Sequence, residues 1–74
     1  MHTEKLIQMA NDIANFFNAE TDKVIAAEGV TKHILRSWDP RMRRELVKYY
    51  QDCGGNGLNN LASEAVKKLA EVTK

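Results

Sequence analysis

The dipeptide Asp39-Pro40 divides a 74-residue chain that carries helical periodicity on both sides of it. The residue before a proline is driven out of the α region, so no helix runs through Asp39. A helix N-cap residue also has extended dihedrals, and its carboxylate accepts from the amides of the first turn, here those of Arg41 or Met42. Pro40 suits the first helical position, where its missing N–H is not needed. One helix therefore ends near Trp38 and the next starts at Pro40, with almost no linker. The two meet at a sharp corner, and the single tryptophan, Trp38, is its natural plug.

Four helical segments follow from the spacing of apolar residues, and no strand does. The first is expected from about Thr3, as N-cap, to Asn18, with Leu6, Met9, Ala10, Ile13 and Phe17 on one face. Ile7, Ala14 and Phe16 widen that stripe to roughly half the circumference. Either a second helix packs on it or part of it awaits another chain. The second helix is expected from Asp22 to Ser37 with Thr21 as N-cap, turning Val24, Ala27, Val30, Thr31, Ile34, Leu35 and Trp38 inward. Ile25, Gly29, Lys32, His33 and Arg36 fall on its opposite face. Gly29 costs about 1 kcal/mol relative to Ala in a helix. On an exposed face, a close approach by a partner would account for it; so would drift.

The third helix runs from Pro40 to about Cys53, with Met42, Leu46, Tyr49, Tyr50 and Cys53 as its stripe and Arg41, Arg44 and Lys48 on the far side. Gly54-Gly55-Asn56-Gly57 ends it, glycine being suited to the left-handed C′ position. The fourth starts near Asn59 or Asn60 and runs to about Thr73, with Leu61, Ala65, Leu69 and Val72 facing inward. Short loops between amphipathic helices give an all-α fold, a small bundle of three to four short helices in a single domain over residues 1–74.

Composition narrows the function classes. A lone cysteine gives no disulfide framework and points to a reducing, cytoplasmic setting. No apolar run approaches the roughly 18 residues of a membrane span, and the amino-terminal residues carry acids and amides unlike a signal peptide. Charge is uneven. Residues 1–31 hold two cations against five anions, residues 32–48 hold six against two, and the remainder balances. The formal net charge of +1 argues against a chain built mainly for nucleic acid.

No catalytic or metal-binding spacing emerges. His33 and Cys53 match no triad pattern, and Cys53 at a helix C-terminus, where the dipole disfavours a thiolate, reads as a core or boundary residue. Two histidines and one cysteine far apart show no ligand spacing. The glycine run follows a helix rather than a strand, so it is a cap and turn instead of a phosphate loop. The cluster Arg41, Arg43 and Arg44 is the anomaly, because positive charge at a helix start opposes the dipole. Three readings remain open for it. It is a solvated face with Arg41–Glu45 and Lys48–Asp52 pairs, a protein-binding patch, or a phosphate contact in a helix-turn-helix-like arrangement. Arg43, flanked by Leu46, Val47 and Tyr50, has the surroundings of an interface anchor.

The blocks LIQMANDIANFF (Leu6–Phe17), Gly29-Val30, His33-Ile34, WDPRMR (Trp38–Arg43) and GGNGL (Gly54–Leu58), with an apolar helix ending in Leu69, resemble, in order and over nearly the whole chain, the delta subunit of soluble NAD-dependent formate dehydrogenases. The glycines are followed here by Asn59-Asn60 where the family often has a proline-containing helix start. The resemblance implies a non-catalytic accessory subunit with no cofactor of its own. Its partners would be a large molybdenum- or tungsten-containing catalytic subunit and the iron–sulfur and flavin subunits of the same complex. Its role would be to support assembly, cofactor maturation or stability. The expected partner-binding residues are Gly29, His33, Trp38, Arg41, Arg43, Arg44 and Tyr50; for the isolated chain the oligomeric state is left open, a homodimer that covers helix one being one option. The alternative is a small helical module that binds nucleic acid or itself.

Overall fold

The computed structural model describes residues 3–73, which form four helices: α1 (Thr3–Phe17), α2 (Lys23–Ser37), α3 (Pro40–Cys53) and α4 (Asn60–Val72). Each helix start among α2–α4 has a side-chain cap. Asp22, rather than Thr21, caps α2, its Oδ1 accepting from the amides of Val24 (3.0 Å) and Ile25 (3.3 Å). Asp39 Oδ1 accepts from Met42 N–H at 3.0 Å, with Pro40 at the head of α3. Asn59 Oδ1 accepts from Ala62 N–H at 2.8 Å. Thr3 is not a cap: it is the first helical residue of α1, and its hydroxyl donates across to Glu45 Oε2 at 3.2 Å.

The core is built largely from small residues. Ala10, Ala14, Ala26, Ala27, Ala62 and Ala65 are buried, which lets the helix backbones approach closely. Leu6, Val30, Ile34, Leu46, Val66 and Leu69 fill the remaining space. The most extensive helix–helix contact is α2 with α4, followed by α1 with α2. Thr31, the buried polar residue, serves the first of these contacts. Its hydroxyl lies 2.9 Å from Ala27 O and 3.1 Å from Ala65 O, so its one proton is shared between its own helix and α4.

Three residues expected inside lie outside. Val24 and Val72 are more than half exposed and Leu35 is at the surface. With α1 and α4 both packed on α2, the alanines at 26 and 27 set its inner face, and Leu35 and Val72 are left on the rim of a groove between α2 and α4. Cys53 is likewise exposed rather than core or boundary, because Leu46, with Met42, Val47 and Tyr50 beside it, supplies the inner face of α3.

The turn between α3 and α4 is tied to α1. Gly54 takes the left-handed conformation (φ 71°) and its N–H donates to Tyr50 O at 2.8 Å. Gly55 (φ 78°) is buried under the ring of Tyr50, where an added Cβ would sit 2.9 Å from Cδ1. Asn11, in the middle of α1, clamps the far end of the turn: its amide donates to Gly57 O and its Oδ1 accepts from Asn59 N–H, both at 2.9 Å. Tyr49 donates its hydroxyl proton to Asn56 O.

Candidate interaction surface

The residues singled out in the sequence lie in four places rather than one. Trp38 and Arg43 form the α2–α3 corner. Trp38 is buried, and its backbone N–H donates to Ile34 O at 2.9 Å. Arg43 reaches back from α3 and donates from Nη1 to Trp38 O (2.8 Å) and to Leu35 O (3.2 Å). These are carbonyls at the end of α2 that lack helical partners, and a cation there also complements the negative pole of that helix. The guanidinium expected to face a partner is thus engaged within the fold.

Gly29 likewise has a close neighbour within the fold. A Cβ at this position would lie 2.6 Å from Cε1 and 2.7 Å from Cδ1 of Phe17, so glycine is required by packing of the Phe17 ring on α2. Neither a partner nor drift is needed to explain it. His33, one turn on, is exposed, with its ring edge-on to Phe17 at a centroid distance of 6.4 Å. Tyr50 is half-buried and covers Gly55.

Arg41 and Arg44 are exposed on the outer side of α3. Among the described residues neither makes a hydrogen bond or an ion pair. The Arg41–Glu45 pair expected from spacing does not form, because Glu45 accepts from Thr3 instead. Each unpaired cation this near a helix start costs about 0.3–1 kcal/mol. The Lys48–Asp52 pair does form, at 2.9 Å. Its hydrogen bond, and then its Coulomb attraction, raises the Lys48 amine above the ordinary lysine value.

Two surface grooves bring further residues together. One, of about 330 Å³, lies between α3 and α4 and is lined by Arg44, Val47, Lys48, Gln51, Ala70 and Thr73. The other, of similar size, is lined by Asp12, Ile13, Phe16, Phe17 and His33. Phe16 is 78% exposed although its ring stacks edge-on to Phe17 at 5.3 Å, and Ile25 is 55% exposed. The over-wide apolar stripe of α1 is the sequence signal for this strip. Nothing in the sequence singled out Gln51 or Ala70, and Val47 stood out only as a neighbour of Arg43; their grouping depends on how α4 lies on α3.

No group of three or more potential metal-ligating His, Cys, Asp or Glu side chains occurs among the described residues. His33 lies on the α1–α2 face and Cys53 at the end of α3, so the two reactive side chains are not assembled with each other. No helix is long and apolar enough to cross a membrane among the described residues. The surface offers shallow grooves, exposed apolar side chains and unpaired cations, which are the materials of protein recognition.

No curated protein and no solved structure matches the chain. Residues 5–66 match the family described as NADH-dependent formate dehydrogenase delta subunit, FdsD. That span takes in the resembling blocks from Leu6 to Leu58 and the first half of the apolar helix that ends in Leu69, and the chain belongs to the delta-subunit family of the NADH-dependent formate dehydrogenases.

Proposed function

We propose that this chain is a non-catalytic accessory subunit of a cytoplasmic formate dehydrogenase, binding the large molybdenum- or tungsten-containing catalytic subunit and its iron–sulfur and flavin companions. Through those contacts it supports assembly, cofactor maturation or stability of the complex. The family match over residues 5–66 carries this reading. The distribution of side chains supports it: the exposed residues that break local rules are Phe16, Arg41 and Arg44, and they suit contact with another chain. Of the expected partner-binding residues, Arg41, Arg44 and His33 keep that role in the proposal. Gly29, Trp38, Arg43 and Tyr50 act at one remove, by holding the surfaces in place.

The test is deletion of the chain in its own host. Formate-dependent NAD reduction and the molybdenum or tungsten content of the catalytic subunit are expected to fall together, and both to return on re-expression. Unchanged activity and metal content in the deletion strain would refute the role. In the isolated chain, the apolar strip at Phe16 favours a second copy as a temporary cover. Sedimentation should then give a dimer that Phe16→Ser converts to monomer.

A further inference from the structure

We propose that the groove between α3 and α4 receives an acidic amphipathic segment of the partner subunit, its apolar side on Val47 and Ala70 and its carboxylates on Arg44, Lys48 and the neighbouring Arg41. This deepens the accessory-subunit reading and rests on it. Three observations carry it. The first is charge. Arg43 and Glu45 are both engaged within the fold, so the outward side of α3 presents Arg41, Arg44 and Lys48 against Asp52 alone. An acidic partner is the complement of such a face.

The second is shape. The groove holds about 330 Å³ and is open, lined by Val47 and Ala70 together with Arg44, Lys48, Gln51 and Thr73. That suits a few side chains of an apposed helix, the usual helix-in-groove arrangement. The third is rigidity. Arg43 ties the start of α3 to the end of α2, and Tyr50 and Gly54 fix its end, so the cations are held on a supported helix rather than a loop. Nucleic acid fits less well. The groove sets Val47 and Ala70 beside its cations, apolar surface that an amphipathic peptide segment covers and a phosphate backbone does not.

The test uses the formate dehydrogenase assembly purified from a strain lacking this chain. Purified wild type, Arg44→Glu, Ala70→Glu and a control, Arg36→Glu on α2, are titrated into it at about 50 and about 300 mM salt. Circular dichroism checks that each variant is folded. Wild type and Arg36→Glu are expected to bind alike, and Arg44→Glu and Ala70→Glu at least about tenfold more weakly at low salt. The wild-type affinity should also fall more steeply with salt than that of Arg44→Glu. Wild-type binding by both groove variants would overturn the groove proposal and leave the accessory role standing. Failure of the wild-type chain to bind the assembly would overturn both. Loss of binding to a short DNA duplex by Arg44→Glu, with binding to the assembly intact, would assign the groove to nucleic acid and overturn the proposal.

Discussion

Adjacent arginines at the start of α3 should respond oppositely to removal. Arg43 donates to Trp38 O at 2.8 Å in a partly buried setting and to Leu35 O at 3.2 Å in an exposed one. A hydrogen bond from a charged group contributes about 1.5–3 kcal/mol, and the longer, solvated one adds little. Removing the cation from the helix start returns about 0.3–1 kcal/mol. Arg43→Ala should therefore cost about 1–2 kcal/mol net. In a domain of this size that is a fall in Tm of roughly 5–15 °C. Arg44 is exposed and makes no hydrogen bond or ion pair among the described residues. Arg44→Ala should gain a few tenths to about 1 kcal/mol from the relieved dipole and the better helix propensity. Thermal and urea unfolding, followed by far-ultraviolet circular dichroism and Trp38 fluorescence, measures both. Equal stability for Arg43→Ala and wild type, or shifts of the same sign in the two variants, would refute the assignment of Arg43 as a corner tie and Arg44 as a free surface cation.

Gly29→Ala should destabilise despite the roughly 1 kcal/mol gain in helix propensity, because the new methyl meets the Phe17 ring at 2.6 Å; in a Phe17→Ala background the same change should stabilise, a sign reversal that a double-mutant cycle by urea unfolding reads directly. Asn11→Ala removes two 2.9 Å bonds to the α3–α4 turn and should cost about 1–3 kcal/mol, with faster hydrogen exchange at the Asn59 amide as its local signature. Asp52→Asn breaks the Lys48–Asp52 pair and removes the cause of the raised Lys48 amine. The sign is that of a cation whose folded value is raised, so any stabilisation is present at neutral pH and lost only as pH rises through the lysine range. The pair is exposed, and no measurable change in Tm at neutral pH is expected.

What was legible in the sequence is what local chemistry dictates. Asp39-Pro40 and Gly54 set the limits of α3 because cap, proline and left-handed glycine act within a few residues. The stripe of α1 marked both its buried face and, by its excess width, the exposed Phe16. What escaped needed contacts distant in sequence. Asn11 meets Gly57 across 46 positions, so the two family-like blocks that contain them touch, which no spacing rule could state. Glu45 is drawn to Thr3, 42 residues away, in preference to Arg41 on its own helix. Arg43 looked like an interface anchor by its neighbours, yet the end of α2 lies within its reach only because the corner folds back. Gly29 looked exposed on α2, and Phe17 of α1 covers it. The blocks that carry the family resemblance are thus, in large part, the joints of the bundle. The same blocks also carry the exposed Phe16, His33 and Arg41, while Arg44 and the α3–α4 groove lie just outside them.

Physical membership of this chain in a formate dehydrogenase complex is read by affinity purification of the tagged protein from its own host under reducing conditions, with mass spectrometry of what accompanies it. The large catalytic subunit is expected in fixed proportion to this chain across salt and dilution. Recovery of the chain with only itself, or with nucleic acid, would contradict that membership.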